Sequence, residues 1–204
     1  MDGLIEKVGF VHLHVHSSYS LLEGALTIGA LAKLAKADGM PALALTDTNN
    51  LFGALEFSDA LHQAGIQPIA GLQMAVRFEA PEPNARQLQQ QFPHVVLLAG
   101  DAIGYANLMA LSSAAFLGNE PGLGAHGAHV DIETLAAHAQ GVIALTGGPG
   151  GPLDMALVAG RPELAVTRFS RLMEIFGDRL YVELQRHGAP AEALTEPGLL
   201  RLAY

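Results

Sequence analysis

The sequence predicts an α/β fold, either a (β/α) barrel or a doubly wound sheet. Short apolar runs alternate with helical patterns from one end to the other. His14, His16, Asp47 and Gln73, together with Gly147 of a glycine loop, fall at or just after the C-terminal ends of those runs, where α/β folds place their functional loops. At 204 residues the chain suits one hydrophobic core, and a single domain over residues 1–204 is expected.

The first strand is expected at Phe10–His16. Strand alternation puts His12, His14 and His16 on one face and Val11, Leu13 and Val15 on the other. Three adjacent imidazoles hold a metal, hydrogen-bond to buried polar groups, or meet water. Glu23 follows in a turn and could add an oxygen ligand. A helix from Thr27 to Gly39 is capped by Thr27, and Met40–Thr46 reads as a short buried strand ending in the polar loop Asp47–Asn50. Leu51–Ala64 keeps helical spacing up to Gly65, and residues 66–76 carry one or two strands broken at Gly71.

Residues 80–92 have loop composition and predict a mobile surface excursion without a domain boundary. His94–Ala99 is a buried strand, and Asp101 caps a helix from Ala102 to about Phe116. After an irregular stretch at 118–128, Asp131 caps a short helix through His138 and Gly141–Thr146 forms a strand. Gly147–Pro152 is a tight loop; it lacks the Lys-Ser/Thr of a phosphate-binding loop, so a structural turn is the reading. Pro162 opens a helix that Gly177 closes, Leu180–Leu184 makes the last clear strand, and Ala191–Tyr204 starts a helix or connector.

Composition narrows the function. Half the residues are apolar, but no apolar run approaches the ~20 residues of a membrane helix, and the acidic start Met1-Asp2-Gly3 is unlike a signal peptide, so a cytoplasmic location and no membrane partner are expected. With no cysteine, any metal must be held by His and carboxylate. Eleven basic against twenty acidic residues give a charge of −9, which disfavours direct DNA binding. Six of the basic residues lie after position 160, read as scattered solvated arginines. No Gly-x-Ser-x-Gly or Cys/His arrangement supports nucleophilic catalysis, and Asp47 reads as hydrogen-bonding its own loop rather than as a general base.

Three stretches, His12–Gly24, Pro41–Phe57 and Gly65–Gly71, resemble the N-terminal PHP (polymerase and histidinol phosphatase) domain of bacterial replicative DNA polymerase III alpha subunits. His94–Ala99 with Gly104–Leu108, and Leu180–Gly188, look like the same family in the same order. The resemblance implies a distorted seven-stranded (β/α) barrel, here incomplete at its C-terminal end because no Asp-x-His occurs after Glu183. An open barrel edge would favour self-association of the chain.

Active members of that family hold up to three metal ions and hydrolyse phosphoesters. Carried over by position, His14, His16, Glu23 and His94 match its ligand positions, whereas Thr48, Gln73 and Gly148 stand where the family has a histidine, an acid and a cysteine. A hydroxyl and a neutral amide are poor substitutes in a polymetal cluster. The resemblance therefore implies no catalytic residue in this chain and either no ion or one weakly bound Zn or Mn, with Mg serving the parent polymerase. The implied partners are the rest of the polymerase alpha chain and the proofreading exonuclease subunit. An active metal-dependent phosphoesterase or 3′–5′ exonuclease is the alternative.

Overall fold

Capping residues fix several helix boundaries. The computed structural model describes residues 9–79, 92–118 and 127–204. Its first helix, α1 (Ile28–Ala37), begins at Thr27, whose hydroxyl accepts from the Ala30 N–H. Then come β1 (Ala42–Leu45), α2 (Ala54–Ala64) ending at Gly65, and β2 (Gln67–Arg77). β3 (His94–Ala99) leads into α3 (Ala102–Leu117), whose cap Asp101 accepts from the Gly104 N–H at 2.7 Å. Asp101→Ala is expected to cost about 1 kcal/mol and lower Tm by roughly 2–4 °C in a calorimetric scan.

β4 (Val130–Asp131), α4 (Ile132–Ala137) and β5 (Val142–Leu145) follow, then α5 (Pro152–Val158), α6 (Pro162–Phe176), β6 (Leu180–Tyr181) and α7 (Pro190–Ala203). The sheet runs β1-β2-β3-β5-β6, with β4 pairing the end of β2. β1 with β2, β2 with β4 and β5 with β6 are parallel; β3 runs antiparallel to both β2 and β5. This is the expected parallel-rich α/β sheet of a distorted, incomplete barrel, with one strand reversed. The reversal brings His94, the first residue of β3, to the rim formed by the C-terminal ends of β1, β2 and β5.

Strand alternation sorts the core. Val95 and Leu97 of β3 pack with Leu72, Met74, Leu108, Leu111, Leu172 and Phe176 against the helices. Val96 and Leu98 meet Ala44 and Leu145 on the opposite face. A separate cluster of Ile28, Leu31, Leu43, Phe57 and Leu61 fastens α1 and α2 to β1.

Several sequence expectations are corrected. Residues 10–16 form no strand; they run beside β1, with the Ala44 N–H donating to the His12 carbonyl and the Thr46 N–H to the Val15 carbonyl. Three steps on one side face two on the other, and the chain bends at Leu13–His14, so the alternation that would align the three histidines is lost. Gly71 does not break β2. A Cβ there would lie 2.6 Å from the Leu97 carbonyl oxygen, so glycine serves the close approach of β3.

The last strand covers only Leu180–Tyr181, and a helix forms at Pro152–Val158, of which the sequence reading covers only Pro152, as the end of a loop. Residues 191–203 are helical. Asp131 sits at the N-cap of α4 but makes no side-chain capping bond, its carboxylate pairing with Arg77 at 2.6 Å instead. The expected excursion at 80–92 and the irregular stretch at 118–128 fall mostly outside the described residues.

A candidate metal rim closed by hydrogen bonds

The rim collects the end of the 10–16 stretch, the loop after β1, the end of β2, the start of β3 and the segments after β5 and β6. Its anchor is Asp47, which is buried. Asp47 accepts from the Ser17 N–H at 2.7 Å, the Ser17 hydroxyl at 2.7 Å and the Ser20 hydroxyl at 2.6 Å. Ser20 Oγ in turn accepts from the Thr48 N–H at 3.1 Å and lies 3.0 Å from His16 Nδ1. One carboxylate thus fixes the turn carrying Glu23 against the loop carrying Thr48; its hydrogen bonds go to Ser17 and Ser20 across the rim and not to its own loop, where the sequence reading places them.

His14 is held from both sides. Its Nδ1–H donates to Glu183 Oε1 at 2.7 Å, and its Nε2–H donates to Gln73 Oε1 at 2.8 Å. Both partners are acceptors, so this arrangement is made by the doubly protonated ring. The polarity continues outward: Gln73 Nε2 donates to Thr48 Oγ1 at 3.2 Å, and the Thr48 hydroxyl donates to Glu23 Oε2. Gln185 Nε2 donates to the same Glu183 oxygen at 2.6 Å. A continuous chain therefore runs Glu183–His14–Gln73–Thr48–Glu23.

The electrostatics agree with that polarity. Burial pushes His14 toward its neutral form, but the hydrogen bond and charge of Glu183, with Gln73 and Glu23 behind them, hold its pKa above the ordinary 6.5. Burial would raise Glu183, yet His14, Gln185 and the Gly147 N–H together bring it below the ordinary 4.5. His16 and His94 are shifted down, chiefly by burial; His14's charge adds to it in His16, and the charges of both neighbouring histidines add to it in His94, against Glu23 in each case.

Of the sequence-predicted residues, the structure brings His14, His16, Glu23, Thr48 and Gln73 into one network. The His14 and His16 ring centroids lie 5.3 Å apart, and His16 Nδ1 lies 3.7 Å from Glu23 Oε2. His94 sits on the same rim with its Nδ1 close to Gly150. His12 stands apart, exposed and edge-on to Phe10. Gly148 has φ 57°, and a Cβ there would meet Gln185 Nε2 at 2.6 Å, so the Gln185 side chain fills the space a larger residue would need.

Sequence reasoning missed Glu183 and Gln185 as site residues, although both lie inside the quoted Leu180–Gly188 stretch. Their signal is position: an acid and an amide just past the last apolar run, at the rim end like the other site residues. They also close the ring. Among the described residues no backbone hydrogen bond joins residues 10–16 to 180–185; the two stretches meet through His14, Glu183 and Gln185.

These donors do not fit a polymetal cluster. Both ring nitrogens of His14 are directed at other side chains, and two of the remaining positions present a hydroxyl and an amide. Among the described residues no group of three His, Asp or Glu side chains is arranged around a common ion position.

A distorted α/β barrel with imidazoles and carboxylates gathered on one rim is the architecture of a particular class, and the chain belongs to it: it is a member of the PHP domain family, whose match covers residues 12–187. Within that family it is similar to DNA polymerase III subunit alpha of Caulobacter vibrioides, at 44% identity over 98% of this chain and 17% of that protein. The subunit alpha of Treponema pallidum is 39% identical over 97% of this chain and 17% of that protein. The chain thus spans about a sixth of the length of these relatives. Among solved structures, a candidate metal-dependent phosphoesterase from Bifidobacterium adolescentis superposes with a TM-score of 0.50 at 12% identity, covering 94% of this chain and 84% of the other, which is a likeness of fold. No helix among the described residues is long and apolar enough to cross a membrane.

Proposed function

We propose that this chain is the PHP region of a replicative DNA polymerase III alpha subunit whose former metal rim has become a structural element and a platform for the separate proofreading exonuclease subunit. One observation carries the reading: four of the positions that would hold ions, His14, Gln73, Thr48 and Glu23, are joined to one another by hydrogen bonds in a chain that starts at Glu183. Side chains committed to each other in this way stabilise the rim without an ion, and DNA synthesis belongs to the parent chain in the cytoplasm, served by Mg outside this region. At His14, His16, Glu23 and His94 the rim holds no ion or one weakly bound Zn or Mn.

The full alpha chain, dialysed and then assayed for metal, is expected to retain less than one Zn or Mn at this rim. A 3′-end-labelled strand with Mn should not be shortened faster by it than by a His14→Ala, His16→Ala variant. Size-exclusion chromatography with the exonuclease subunit should give a complex. Hydrolysis that disappears in the double variant would establish an active phosphoesterase instead, and absence of any complex would remove the partner role.

A further inference from the structure

The turn at the mouth of the rim displays an apolar surface that the hydrogen-bonded network does not use. Leu22 has φ 68°, a left-handed backbone that a leucine rarely adopts, and yet its side chain is 107% exposed. No burial within the described residues offsets that strain. Leu21 beside it is 82% exposed, and across the turn Phe52 and Leu55 are 71% and 76% exposed.

Tyr19 ties the two stretches that carry these residues together. The Tyr19 ring lies against Gly53, where a Cβ would approach it to 2.8 Å. Its hydroxyl donates to Glu56 Oε2 at 3.0 Å, and Asn50 Nδ2 donates to the Tyr19 carbonyl at 3.2 Å. The turn is therefore fixed against the start of α2, with Glu23 and Glu56 at its edges.

Charge and length select the occupant. Those edge carboxylates, on a chain of charge −9, would oppose their own copies in a symmetric dimer and repel a nucleic-acid backbone. The chain spans only 17% of relatives that are single polypeptides, so most of such a protein lies outside it. The turn is closed by the Glu23 and Gly24 N–H groups on the Ser20 carbonyl, so it displays its leucines in every molecule, and a neighbour in the same polypeptide is equally always present. We infer that the Leu21–Leu22 turn, with Phe52 and Leu55, is an intramolecular docking surface for a later segment of the same polypeptide, apolar at its centre and bearing Lys or Arg at its edge. The inference rests on the reading of this chain as part of an alpha subunit.

Amide hydrogen exchange tests it in the full alpha chain and in the 204-residue chain, both without the exonuclease subunit. Residues 17–24 and 51–57 should exchange at least about tenfold more slowly in the full chain, and Leu22→Asp should abolish that difference. Leu22→Gly removes the strain and the side chain together, so it should raise or leave unchanged the Tm of the 204-residue chain while lowering that of the full chain. Equal exchange in the two chains would overturn the inference. So would protection that appears only with added exonuclease subunit, or only as protein concentration rises, since those outcomes assign the surface to a separate subunit or to a second copy. The comparison of the two chains without the exonuclease subunit depends neither on hydrolysis nor on complex formation, so failure of the platform role is seen separately.

Discussion

Asp47→Ala is expected to destabilise the chain by about 3 kcal/mol and to lower its Tm by roughly 6–12 °C. The carboxylate is 1% exposed and accepts three hydrogen bonds, so its removal takes the acceptor from the Ser17 N–H and from two serine hydroxyls, of which only that of Ser20 has another side chain, His16 Nδ1 at 3.0 Å, to turn to. The hydroxyls can rotate; the backbone N–H cannot. Asp47→Asn keeps an acceptor oxygen and should lose about half as much. Urea unfolding followed by far-UV circular dichroism measures both. A loss under ~1 kcal/mol for the alanine variant would show that the turn and the loop hold together without this anchor.

Glu183→Gln is expected to cost about 2 kcal/mol near pH 5.5 and about half that at pH 8. The pair it breaks is largely buried, at 13% and 11% side-chain exposure. The sign follows from both partners. His14 has a folded pKa above its ordinary 6.5, so its stabilisation is fully present below 6.5 and fades as pH rises through the folded value. Glu183 has a folded pKa below its ordinary 4.5, so its share is present above 4.5 and fades as pH falls through the folded value. Both contributions coexist between about 4.5 and 6.5.

His16 and His94 act in the opposite sense. Their folded values lie below 6.5, so what they contribute is present above 6.5 and lost as pH falls through those values. Overall stability is therefore a poor readout. The difference between the wild-type chain and Glu183→Gln, measured by urea titration across pH 4–9, isolates the pair. A difference that stays flat across that range would mean that the ring of His14 is not charged in the folded chain.

What could be read from the sequence was mostly what local chemistry decides. Thr27, Asp101 and Gly65 mark helix ends because a cap depends on a few neighbouring residues, and the strand at His94–Ala99 needed only an apolar run. The failures lie where distant chain intervenes. The bend at Leu13–His14 answers to β1, and Gly71 answers to the Leu97 carbonyl, neither of which is written in the adjacent sequence. The helix at Pro152–Val158 was hidden by the glycines before it.

The candidate site divides in the same way. His14, His16, Glu23 and Gln73 were found by residue type and by resemblance. Glu183 was not, because its role depends on a side chain 169 residues away. Reversal of β3 was equally invisible, although the rim position of His94 depends on it.

In this incomplete barrel the stretches 10–16 and 180–185 are, among the described residues, fastened by a side-chain clasp rather than zipped along their backbones. The tightness of that clasp is then set by three side chains, and each is open to change one amino acid at a time, so related chains can harden or loosen the joint without redesigning the scaffold.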